Sequence, residues 1–128
     1  MPETSFPVTE RPGQAVVATP DEIDLRNADA FRAALDTAVA GNQPVVVVDM
    51  SGTEFCDSTG LNVLVRAQKQ ADADGRQLRL VVRGPALQRI LTVSGMGRLF
   101  QIFDNLDQAV EAASPDHAVR TQDSALDR

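Results

Sequence analysis

Four consecutive residues carry most of the chemistry open to this chain: Asp57, Ser58, Thr59 and Gly60. A carboxylate and two hydroxyls stand directly before an apolar-periodic run, Leu61, Leu64 and Val65. Such residues belong at the start of a helix, where they cap free backbone N–H groups. Capping alone accounts for these residue types. A serine hydroxyl there is also exposed and lies at the positive end of the helix dipole, where a phosphate is tolerated. Other reactive groups are sparse. Asp49 and Glu54 could join Asp57 in a metal site or acid–base pair. Their ordinary roles are a strand end, a solvated side chain and a cap. Cys56 is a lone cysteine, which makes neither an intrachain disulfide nor a zinc cluster and reads as a small buried residue. The one histidine, His117, lies in a polar C-terminal stretch, so His-dependent catalysis inside the fold is excluded.

Composition narrows the function classes. The 128 residues suit one domain, and a 43% hydrophobic content supports a core without disulfides or metal. A net charge of −6 argues against nucleic acid or an anionic membrane as partner. Five Phe are the only aromatic residues, which is poor material for base stacking. No apolar run approaches the roughly 20 residues of a membrane span. The N-terminus, with Pro2, Glu3 and Pro7, does not read as a signal peptide. A cytoplasmic protein is expected. Asp57-Ser58-Thr59-Gly60 has its glycine one residue too late for the aspartic-protease triplet. Ser94-Gly95-Met96-Gly97 is not a nucleophile elbow, and no phosphate-binding loop ends in Gly-Lys-Ser/Thr. The expectation is a non-enzyme with no catalytic residue, metal or cofactor.

The elements that would position Ser58 follow from periodicity. Residues 1–13, with Pro2, Pro7, Pro12 and Gly13, read as a flexible N-terminal arm with a short edge strand around residues 5–9. Residues 14–19 read as a strand. Ala28, Phe31, Leu35, Ala38 and Val39 mark a helix over 27–40, closed by Gly41. Val45 to Val48 form a strand buried on both faces. A helix over 58–73 ends at Gly75, and a strand covers 77–82. A third helix starts at Gly84-Pro85, carries Leu87, Ile90, Leu91 and Ser94 on one face, and stops at Gly95 and Gly97. A short strand over 100–103 and a last helix with Leu106, Ala109, Val110 and Ala113 complete the domain, 14–113. Residues 114–128 read as a disordered tail. Alternating strands and helices imply an α/β fold around a mixed, mostly parallel sheet of about five strands. In such folds the loops after strand ends carry function. The loop at 50–60 and residues 21–25 are the two candidates.

With these surroundings, the chain resembles the anti-sigma factor antagonists of the STAS domain family. Phe55-Cys56-Asp57-Ser58-Thr59-Gly60-Leu61-Asn62-Val63-Leu64, after the strand ending at Asp49, resembles the family's Phe-x-Asp-Ser-Ser/Thr-Gly-Leu-x-x-Leu. Asp21-Glu22-Ile23-Asp24-Leu25 resembles its Gly-Glu-Ile/Leu-Asp, with Asp21 in place of the glycine. Ser94-Gly95-Met96-Gly97, the apolar 99–103 and Ala109-Val110 resemble a third signature. The likeness covers residues 10–113, with the signatures in order.

The resemblance implies that Ser58 is the phosphorylated serine. An anti-sigma factor serine kinase would bind the unmodified form, release its sigma factor and phosphorylate Ser58. A PP2C-type phosphatase would reset the switch. Asp24 resembles the family aspartate that lies near the serine. The expected partner face comprises Glu22, Ile23, Asp24, Leu25, Asp57, Ser58, Thr59, Gly60, Asn62, Val63 and Arg66; Val63 reads equally well as a core residue. A phosphate would meet like charge from Asp57 and Asp24. Alternatives are a STAS scaffold or stress-complex subunit regulated at the same serine, and a small nucleotide-binding α/β protein. A sulfate-transporter role does not suit a sequence without a membrane span.

Overall fold

The computed structural model describes residues 6–112. Four strands, β2 (Gln14–Ala18), β4 (Val45–Met50), β6 (Gln77–Val82) and β7 (Gln101–Phe103), run parallel in that order, and β1 (Val8–Arg11) pairs antiparallel with β2 at one edge. β3 (Glu22–Ile23) and β5 (Phe55–Cys56) form a separate two-stranded parallel pair. The described residues contain four α-helices: α1 (Ala28–Ala40), α2 (Ser58–Ala73), α3 (Pro85–Ser94) and α4 (Leu106–Glu111). The mixed, mostly parallel α/β architecture is the one expected from the sequence.

The valine run explains how the layers are held. Successive strand residues point to opposite faces. Val46 and Val48 therefore join Val17, Leu78, Leu80 and Val82 beneath α1, α2 and α3. Val45 and Val47 join Val16, Val81 and Ala109 on the α4 side. All four valines of the run are at most 7% exposed. The register places Arg79 opposite Val47, hence on the α4 side, where it is 1% exposed. A buried charge is tolerated when its donors are satisfied. Arg79 Nη1 donates to the Ala109 carbonyl at 2.7 Å, Nη2 donates to Gln77 Oε1 at 3.0 Å, and the guanidinium lies 5.9 Å from the Phe103 ring centre. Burial lowers its pKa. This arginine, inconspicuous in the sequence, ties α4 to the sheet.

Three features differ from the expectation. The arm at 1–13 enters the fold in its second half. Phe6 is buried and stacks on Phe31 with ring centres 5.0 Å apart, and the edge strand falls at Val8–Arg11. Pro12-Gly13 is the tight turn of the β1–β2 hairpin, with Gly13 at φ 76°, and belongs to the sheet and not to a flexible arm. Between α3 and β7 the chain makes a 3₁₀ turn, Met96–Leu99, entered through Gly95 at φ 78°. The β3–β5 pair was not anticipated, because two residues are too few for alternation to register. The tail expected at 114–128 lies outside the described residues.

Candidate functional site around Ser58

Ser58 is positioned by a stack of backbone bonds that begins far back in sequence. The Asp21 carbonyl accepts from the N–H groups of Glu54 at 2.7 Å and Phe55 at 3.2 Å, and the Ile23 carbonyl accepts from Asp57 N–H at 3.0 Å. These bonds and the β3–β5 pairing bring the 21–25 and 50–60 loops together. They also explain why aspartate serves at position 21: its carbonyl does the joining and its side chain is exposed. Thr53, fully buried, donates to the Pro20 carbonyl at 2.6 Å and holds the loop from inside.

Asp57 is the N-cap of α2. Its carboxylate accepts from Gly60 N–H at 3.1 Å, and its carbonyl accepts from Leu61 N–H. Ser58 is therefore the first helical residue and not the cap, contrary to the simplest reading of the motif. It is exposed, and its hydroxyl hydrogen-bonds to none of the described residues. Gly60 is needed for close approach. A Cβ there would lie 2.6 Å from Cys56 Sγ and 2.7 Å from Ile23 Cγ2. The first turn of α2 thus presses on the small strand pair with no room for a methyl group. Burial, reinforced by Asp57, pushes the Cys56 thiol up to about 12, so it stays protonated as a packing residue.

The expected partner residues divide by exposure. Glu22, Leu25, Ser58, Asn62 and Arg66 are exposed, and Asp24, Asp57 and Thr59 are half-buried. Ser58, Asn62 and Arg66 follow one another at four-residue steps, a single stripe along α2. Ile23, Gly60 and Val63 are corrections to the expected face: they are buried, and Val63 packs into the core at 8% exposed. They support the surface from beneath. Two further exposed residues lie on the paired 21–26 and 50–60 segments. Phe55 is 45% exposed beside the buried Cys56, and Arg26 binds Asp24 through Nη2 to Oδ2 at 2.8 Å. Arg26 also reaches Glu22 at 3.8 Å.

Arg26 changes the electrostatics of the site. Its guanidinium and its N–H both donate to the Asp24 carboxylate, which holds that carboxyl below the usual range. Asp24 is thus an ion-paired carboxylate and not a bare negative charge. Asp49 accepts from Ser51 N–H, Asp57 is the cap, and no described group of three or more His, Cys, Asp or Glu could hold a metal ion.

The STAS domain model matches residues 5–109, most of the chain. The chain belongs to the STAS domain family. This STAS domain is 32% identical over 103 residues to the anti-sigma-F factor antagonist RsfB of Mycobacterium tuberculosis, covering 80% of this chain and 84% of the relative. It is 28% identical to an anti-sigma F factor antagonist of Paenibacillus polymyxa, over 73% of this chain and 80% of that one. The crystal structure of an anti-sigma factor antagonist from Mycobacterium paratuberculosis superimposes with a TM-score of 0.78 at 31% identity, covering 86% of this STAS domain and 93% of that chain. No helix among the described residues is long and apolar enough to cross a membrane.

Proposed function

We propose that this STAS domain is an anti-sigma factor antagonist whose switch is Ser58. Unmodified, it binds an anti-sigma factor that is also a serine kinase, and so frees a sigma factor. Phosphorylation of Ser58 ends the interaction, and a PP2C-type phosphatase restores it. The names of the similar proteins from Mycobacterium and Paenibacillus support the class of partner. The observation that carries the switch is the division of labour at the start of α2: Asp57 caps, which leaves the exposed Ser58 hydroxyl unengaged.

The mechanism follows from charge. Phosphorylation adds about −1.5 to −2 charges and three acceptor oxygens. The helix N-terminus offsets part of that by about 0.3–1 kcal/mol, and Arg26 lies on the neighbouring loop. The fold therefore survives modification. A partner surface packed on Ser58 does not, because burying an unpaired dianion costs several kcal/mol. The site acts by rejecting the partner and needs no internal rearrangement.

Co-purification with each candidate kinase anti-sigma factor, with ATP added, tests the proposal on wild type, Ser58→Ala and Ser58→Glu. Ser58→Ala is expected to bind and take no phosphate, and Ser58→Glu to bind at least tenfold more weakly. Undiminished labelling of Ser58→Ala would move the acceptor elsewhere, and equal binding of all three would remove the switch.

A further inference from the structure

β7 is the second edge of the sheet, and the described residues cover it incompletely. Ile102 pairs with Leu80, so it faces the side of the sheet that carries α1, α2 and α3, yet it is 39% exposed. Between α3, the 3₁₀ turn and β7 runs an open groove of about 520 Å³, lined by Gln88, Leu91, Thr92, Gly97, Arg98 and Ile102 among others. Leu99, on the 3₁₀ turn, is 51% exposed, and Val93, on the outer side of α3, is 80% exposed. Gly97 keeps the floor low: a Cβ there would stand in contact with Ile102 Cδ1 and Leu91 Cβ, both at 3.7 Å.

Charge around this groove runs against the rest of the chain. Residues 76–103 hold five arginines and no Asp or Glu, in a sequence of net charge −6. Arg76 and Arg79 are engaged internally, by the carbonyls of Val39 and Ala109. Arg83, Arg89 and Arg98 are exposed and form no ion pair with the described residues. Arg98 lines the groove itself, and Arg83 stands beside Gln88 at the groove's end, whereas Arg89 lies with Val93 on the outer side of α3.

We propose that this groove is a second docking surface, which receives an acidic amphipathic helix of a partner protein. The apolar stripe of that helix rests on Ile102 and on Leu99, which follows Arg98 on the 3₁₀ turn, and its flanking carboxylates meet Arg98 and Arg83. The occupant extends the layer of α1, α2 and α3 by one helix over β7. A nucleic acid fits less well, because no aromatic side chain lines the groove for bases to stack on. The groove shares no residue with the Ser58 surface, so occupancy is independent of the switch.

The test is an NMR titration of the full ¹⁵N-labelled chain with synthetic helices of about 18 residues, five turns in length. One peptide carries Leu at i, i+3, i+4 and i+7 spacing with Glu elsewhere; a second keeps the leucines and replaces Glu with Lys. The Glu peptide is expected to shift the amides of Gly95, Gly97 and Ile102, and to do so equally in Ser58→Glu. The double variant Arg83→Glu, Arg98→Glu is expected to bind it at least tenfold more weakly and to gain affinity for the Lys peptide. Equal binding of both peptides to wild type, or shifts centred on 58–66, would overturn the proposal. So would absence of shifts at millimolar peptide, or binding of phosphatidylglycerol vesicles or duplex DNA at this face in preference to the Glu peptide.

Discussion

Gly60 shows how a packing requirement and a functional one meet in a single residue. The missing Cβ lets α2 begin directly against Cys56 and Ile23. Gly60→Ala is expected to destabilise the protein by about 1–3 kcal/mol, measured by urea denaturation, because both neighbours must move. Cys56 sits in the same contact, and its raised pKa has a pH signature. The folded thiol titrates at about 12 against an ordinary 9.0, so between those values the unfolded chain binds fewer protons. Stability is therefore fully present below about pH 9 and falls as pH rises toward 12. Denaturation curves across that range are expected to show this loss in wild type, and a shallower one in Cys56→Ala.

At the scale of elements, the long periodic segments were legible in the sequence, and the short or paired ones were not. α2 begins at Ser58 and ends at Ala73 as its apolar spacing implies, and β6 spans 77–82 as read. Within the candidate site, Ser58, Asn62 and Arg66 stand four residues apart in the sequence and fall on one exposed stripe of α2. The floor of the site was not legible. Val63 looked as much like surface as core, since helix phase is set by how α2 packs on α1 and β6. Arg26 and Phe55 were missed because their relevance comes from β3 and β5 lying side by side, a contact between residues more than 30 apart in sequence. The N-terminal misreading has its own test. Phe6 stacks on Phe31 and closes the core beside α1. Phe6→Ala is expected to cost about 3 kcal/mol in chemical denaturation, whereas a side chain on a flexible arm would cost almost nothing.

Across the whole molecule, the two faces of the sheet are secured differently. Among the described residues, three helices cover one face, and the six-residue α4 secures the other with help from Arg79. Gln14 Nε2 adds a bond to the Val110 carbonyl at 2.6 Å from β2. Arg79→Met keeps an apolar stem and removes the donors to Ala109. It is expected to cost about 2–3 kcal/mol and to speed amide exchange in residues 106–111 more than in α2.

This lopsided cover also matters for a chain that is still being made. Synthesis delivers Val16, Val45, Val47 and Val81 well before it delivers Leu106, Ala109 and Val110. Until those last residues emerge, the nascent sheet carries a strip of valine with no lid, the kind of surface that sticks to its neighbours. Only Asp104 and Asn105 separate β7 from α4, so the period of vulnerability is brief. A ribosome that stalls near β7 would leave a product with its Ser58 loop complete and its valines bare.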